Sequence, residues 1–168
     1  ELDIDFEIKL KEVEEIYPEH LQGVEITDFL AELKANSFNN DIKENEIIIT
    51  SDTIVWLENT ALGKPKDYED AFNMLTKMAG KTHEVITSVC FKRSHKAEII
   101  SCITKVTFNP LTEKEITYYL DLYKPFDKAG AYGIQEWIGL IAISKIEGSY
   151  TNVVGMPTDM VFNYLKNL

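Results

Sequence analysis

The run Ile47-Ile48-Ile49-Thr50-Ser51-Asp52-Thr53-Ile54-Val55-Trp56-Leu57 constrains the fold more than any other stretch of this chain. Its β-branched residues favour an extended strand, and with apolar side chains at successive positions neither face can be left in water. Such a strand belongs in the middle of a sheet, covered on both sides. Asp52 interrupts the run. A carboxylate amid so much apolar sequence stands at a strand end or at a break in the strand. To stay charged there it needs a metal, a cation or strong hydrogen bonds. Two readings therefore stand side by side: Asp52 holds a metal or activates a water, or it terminates a strand by bonding to Thr53 or to backbone.

The surrounding pattern supplies the cover. Alternation over residues 83–91 and 97–108, joined by a polar turn, predicts a long hairpin. A hairpin excludes a purely parallel sheet, so the expected class is α/β of the mixed α+β kind, with helices packed on a mixed sheet. Residues 4–10 alternate with Ile4, Phe6, Ile8 and Leu10 on one side and read as a further strand. Residues 138–146 read as another, followed by a turn at Gly148-Ser149 and an extended piece over 152–155. Helices are predicted over 27–36, capped by Thr27 or Asp28, and after the N-cap Asp67, with Ala71, Met74, Leu75 and Met78 inward. A third opens with a Thr112/Glu115 capping box, and a last one follows Thr158 or Asp159 with Val161, Phe162 and Leu165 inward.

A chain of 168 residues with 45% apolar content suits one domain over residues 1–168 with a sizeable core, or two small lobes sharing one core. The formal charge of −11 argues against a broad basic face for long nucleic acid. It leaves room for a phosphorylated small molecule held by a few lysines and a carboxylate-bound cation, or it simply keeps the protein soluble. No apolar run is long enough for a membrane span, and residues 1–6 carry no secretory signal, so a cytoplasmic location is the expectation. Cys90 and Cys102 lie in apolar alternating segments and read as free, buried thiols. His20, His83 and His95 have no metal-ligand spacing.

Several polar residues are candidates for chemistry. Lys64 and Lys66 flank Pro65 beyond Gly63, and either one fixes a phosphate or both belong to a solvated loop. The spacing is not that of a P-loop. Lys34 lies on the first helix, as a phosphate contact or as a solvent-facing lysine. The segment Asp127-Lys128-Ala129-Gly130-Ala131-Tyr132-Gly133-Ile134-Gln135 combines small residues with Gln135, whose amide both donates and accepts. It can read a nucleobase edge, with Tyr132 stacking or packing in the core. Glu14 and Glu15 supply metal ligands or an acidic surface loop.

Taken together and in order, these segments resemble the Maf family of nucleoside-triphosphate pyrophosphatases. The resemblance is carried by Ser51-Asp52-Thr53, Leu62-Gly63-Lys64-Pro65, residues 78–85, residues 125–135 and residues 146–157. It implies a twisted mixed sheet with helices in two lobes around a cleft, related to inosine-triphosphate pyrophosphatases. It further implies cleavage of a nucleoside triphosphate to monophosphate and pyrophosphate with Mg²⁺ or Mn²⁺. Asp52 matches the essential acidic position, Glu14 and Glu15 an acidic pair that supplies a metal ligand, and Lys34, Lys64 and Gln135 the substrate-contacting positions. The form Ala131-Tyr132-Gly133-Ile134-Gln135 resembles the subgroup acting on dTTP, UTP and modified pyrimidine nucleotides, in nucleotide-pool housecleaning. The alternatives are a 7-methyl-GTP or inosine-triphosphate pyrophosphatase, or a non-catalytic, nucleotide-binding or septum-related regulator. A homodimer is also implied. One departure stands out: the family's Ser-x-Ser-Pro-Arg-Arg loop is absent from these residues, and residues 1–6 match sequence downstream of it. Arg93, in the hairpin, is the sole arginine, so the expectation is an N-terminally truncated chain with impaired phosphate binding.

Overall fold

The computed structural model describes residues 2–168; Glu1 lies outside the described residues. The strand expected at the middle of the sheet is β1 (Ile48–Leu57), but it lies next to the sheet edge, and only its last three residues have a strand on both sides. Asp52 sits within it rather than at an end or a break. Glu58 and Asn59 both have positive φ, which makes the tight two-residue turn that hairpins prefer, and the chain returns as β2 (Thr60–Leu62). Three residues were too few for alternation to reveal. The long hairpin forms as predicted, from β3 (Thr82–Lys92) and β4 (Ala97–Phe108). With β5 (Ile143–Glu147) the sheet has the order β2-β1-β3-β4-β5, and every pairing is antiparallel.

Helix α1 (Val24–Asn36) covers one face of this sheet, where Ile26 and Leu30 meet Ile54 and Ile86. It begins three residues earlier than the apolar stripe suggested, because Thr27 and Asp28 are not its caps. Thr27 bonds Ser88 across the interface at 2.6 Å, and Asp28 accepts from Ser88 and Ser101 at 2.5 and 2.7 Å. Both residues tie the helix to the sheet.

The opposite face holds the larger core. Helix α2 (Tyr68–Met78) starts at Asp67, whose carboxylate accepts from the Asp70 amide, and it buries Ala71, Met74, Leu75 and Met78. Helix α3 (Glu113–Tyr123) carries the complete Thr112/Glu115 capping box and buries Ile116, Tyr119 and Leu120. Full burial of side chains of this size contributes roughly 1.5–3 kcal/mol each. Val55, Leu57, Val85, Val106 and Phe108 meet these helices from the sheet, as the period-two pattern requires.

Three segments depart from the expectation. Residues 4–10 form no strand, and Phe6, Ile8 and Leu10 are exposed. Alternation decides which side chains share a side, but a strand also needs hydrogen bonds to a neighbouring strand, and residues 4–10 take part in no strand pairing among the described residues. The predicted strand over 138–146 divides into helix α4 (Trp137–Ala142) and β5, because Ile138 and Ala142 stand one helical turn apart and both are buried. Residues 152–155 are not extended. Residues 152–154 belong to α5 (Tyr150–Val154), capped by the Ser149 hydroxyl and ended by Gly155 at φ 114°. The last helix, α6 (Thr158–Lys166), follows Pro157 without a side-chain cap. It buries Val161 but leaves Phe162 exposed. Among the described residues no helix is long and apolar enough to cross a membrane. Cys90 and Cys102 are free thiols, Cys90 buried and Cys102 partly so.

Candidate active site

The cleft follows from where β2 stops. It pairs only with Val55, Trp56 and Leu57, so the rest of β1 has β3 on one side and an open edge on the other. A cavity of about 470 Å³ lies along that edge, a volume typical of small-molecule sites. Its walls come from α1, β1, the Gly63-Lys64 loop, the segment around residues 127–135, and Val153 to Gly155. The last wall is held to β1 by the Ser51 and Thr53 hydroxyls, which both donate to the Gly155 carbonyl, at 3.4 and 3.5 Å.

Asp52 points from β1 towards α1 and is only 7% exposed. Lys34 stands one helical turn beyond the buried Leu30, so it lies on the inward side of α1 and not in solvent. Its Nζ donates to Asp52 Oδ1 at 2.6 Å and lies 3.0 Å from Glu15 Oε1. Glu15 also accepts from Lys64 Nζ, at 2.9 Å through Oε2. Four residues far apart in sequence thus form one chain of alternating charge: Asp52, Lys34, Glu15, Lys64. Glu14, the neighbour of Glu15, is exposed and lies outside the cavity wall.

Burial pushes the Asp52 carboxyl above its ordinary value, although Lys34 pulls the other way. Burial also works against the Lys34 ammonium, but Asp52 and Glu15 outweigh it and hold its pKa raised. Glu15 is opposed by its own partial burial, yet Lys64 and Lys34 hold it below the usual carboxylate range. The result is one carboxylate made more basic and one kept firmly ionised. An acid–base pair separated in this way is a recurrent property of reactive sites.

Across the cavity, Gln135, Asp127 and Lys128 line the wall, with Lys128 donating to Asp127 at 2.8 Å. Tyr132 does not stack in the open. It is buried, packs edge-on against Phe108, and its hydroxyl bonds His83 Nε2 at 2.9 Å. Lys66 is outside the cavity wall, and its backbone amide donates to Asp70. The His83–Tyr132 contact had no local signal, since the partners are 49 residues apart.

The oxygen donors here suit a hard divalent cation. Asp52 and Glu15 already converge on one positive charge, the Lys34 ammonium, and carboxylate oxygens are the ligands that Mg²⁺ and Mn²⁺ prefer. Among the described residues no cluster of three or more acidic, histidine or cysteine ligands exists, so a cation here would take its other ligands from substrate or water.

The family model described as Maf-like protein matches residues 1–168. The chain is 66% identical to the dTTP/UTP pyrophosphatase of Flavobacterium psychrophilum over 166 residues, covering 99% of this chain and 85% of that protein. It is 62% identical to the dTTP/UTP pyrophosphatase of Flavobacterium johnsoniae over 168 residues, covering 100% and 87% respectively. Identity to the protein of the same name from Christiangramia forsetii is 56%, covering 100% of this chain and 86% of that one.

Proposed function

This chain belongs to the Maf family, and we propose that it hydrolyses dTTP, UTP and related pyrimidine nucleoside triphosphates to the monophosphate and pyrophosphate. The observation that carries this reading is the Asp52–Lys34–Glu15–Lys64 chain of charge, in a cleft of nucleotide size. Relatives more than half identical over nearly the whole chain bear the name dTTP/UTP pyrophosphatase, which favours this substrate class over the purine alternatives.

In this mechanism Asp52 is the base. It is buried, raised in pKa, and reached from the cleft, so it can accept a proton from a water that attacks the α-phosphorus. The new bond joins the water oxygen to that phosphorus. The bond from the α-phosphorus to the oxygen bridging to the β-phosphate breaks, and pyrophosphate leaves with the electron pair. Lys34 and Lys64 orient the phosphates and offset the charge that builds on the leaving group. Gln135 contacts the substrate from the opposite wall. Asp52 and Glu15 would hold a divalent cation, Mg²⁺ or Mn²⁺, which would supply charge neutralisation and Lewis acidity. Glu15 takes this role rather than Glu14 because it alone of the two lies in the charge chain. Free thiols at Cys90 and Cys102 and a nucleotide substrate favour a cytoplasmic setting, and a homodimer completes the proposal.

The test is pyrophosphate release from dTTP, UTP, CTP, 7-methyl-GTP and ITP with Mg²⁺ or Mn²⁺, for the unaltered chain and for Asp52→Asn. Turnover is expected with the pyrimidine substrates and is lost in the variant. Undiminished turnover by Asp52→Asn would remove the base from the mechanism.

A further inference from the structure

The wall of the cleft that carries Gln135 is fastened from behind. Tyr119 projects from α3, is fully buried, and has a hydroxyl that makes two bonds at once. It donates to the Glu136 carboxylate and accepts from the Gly133 amide, the latter at 3.0 Å. Burial first, and then the neighbouring carboxylate, push the Tyr119 phenol pKa up. The hydroxyl therefore keeps the proton it gives to Glu136. The other Glu136 oxygen lies 3.4 Å from Lys128 Nζ, which closes the brace onto the far end of the same loop.

Sterics leave this loop little freedom. A side chain at Gly133 would meet Glu136 Cδ at 2.9 Å, so the brace sits directly against the backbone it holds. At the other end, a Cβ on Gly139 would stand 1.9 Å from the Ile134 carbonyl oxygen, so α4 packs on Ile134 without a gap. Glu136 also donates its backbone amide to the Gly133 carbonyl at 3.0 Å. Gly133, Ile134 and Gln135 are thus pinned between α3 and α4, while their other side faces the cavity.

Resting on the proposed pyrimidine nucleotide reading, we infer that Tyr119 and Glu136 are positioning residues for base selectivity. They hold Gly133 to Gln135 at the depth where the base edge of the nucleotide is met. They touch no part of the charge chain around Asp52. The phosphate half of the cleft therefore works without them, and the base half does not.

This separation gives the test. Affinities are measured by titration calorimetry for non-hydrolysable α,β-imido analogues of dUTP and dGTP and for inorganic pyrophosphate. The proteins compared are the unaltered chain, Tyr119→Phe, Glu136→Ala and Glu136→Gln, each first shown to be folded by circular dichroism. Removing one partner of a buried hydrogen bond is expected to weaken the dUTP analogue about tenfold in Tyr119→Phe and Glu136→Ala. The preference for dUTP over dGTP narrows by a similar factor, while pyrophosphate affinity stays unchanged. Glu136→Gln keeps an acceptor for the Tyr119 hydroxyl and restores most of the selectivity. An equal loss for pyrophosphate and for the dUTP analogue, or an unchanged dUTP/dGTP ratio, overturns the inference. Failure of the unaltered chain to bind either analogue instead overturns the nucleotide reading itself.

Discussion

Replacing His83 with glutamine isolates a single buried proton site. His83 is 2% exposed, bonded through Nε2 to Tyr132, and its Nδ1 has no hydrogen-bond partner among the described residues. Burial depresses its pKa from 6.5 to about 4. A charged imidazole here would face Phe108 and Tyr132 with one N–H unanswered. The folded chain therefore resists a proton that the unfolded chain accepts. The stabilising effect of the neutral form is fully present above pH 6.5 and is lost as the pH falls towards 4. That gap corresponds to on the order of 3 kcal/mol, with a slope of at most about 1.4 kcal/mol per pH unit inside the window. Glutamine can still bond Tyr132 but does not titrate. Urea unfolding of both proteins from pH 7.5 to 4 is the assay, and the difference between them removes the titration of other groups. The unaltered protein is expected to lose stability more steeply by nearly one proton between pH 6.5 and 4. Parallel curves across that window would refute the argument.

Four further outcomes follow from the site and its supports. Lys34→Met removes the strongest influence lowering the Asp52 pKa, so the acid limb of the rate profile is expected to move to higher pH. The check is the rate of pyrophosphate release between pH 5 and 9. Gly139→Ala forces a Cβ to within 1.9 Å of the Ile134 carbonyl and is expected to cost roughly 2–4 kcal/mol in urea unfolding. Thr112→Ala dismantles the capping box of α3 and is expected to cost about 1 kcal/mol by the same measurement. Chelation of divalent ions should abolish pyrophosphate release, and Mg²⁺ or Mn²⁺ should restore it.

Much of the scaffold was legible where one physical rule governed a whole segment. The β3–β4 hairpin announced itself by alternation on both arms, and α2 and α3 by caps whose partners lie three residues away. Legibility failed where two rules competed. Residues 137–147 are apolar enough for either period, and only the burial of Ile138 and Ala142 one turn apart decides for a helix at the start. At residues 4–10 the alternation was real, but among the described residues they pair with no strand. Asp52 was visible as an anomaly, yet its position inside β1 depended on Lys34 lying across the interface on α1. Lys34 itself looked like an ordinary surface lysine, because nothing within one helix reveals a carboxylate on a strand 18 residues away. The Tyr119–Glu136 brace was invisible for the same reason: its three parts converge only after α3 and α4 pack against the sheet.

The alternating order of Asp52, Lys34, Glu15 and Lys64 gives the resting cleft the character of an ion exchanger already loaded with its own counter-ions. An arriving polyphosphate has to take the two ammonium groups away from the two carboxylates. The carboxylates released by that exchange are then left facing each other, with their charge unanswered in a partly dry site. A polyanion alone meets that repulsion, and a cation alone meets lysines that already occupy the carboxylates. Anion and cation entering together exchange both sets of partners at once, so each raises the affinity for the other by the same factor.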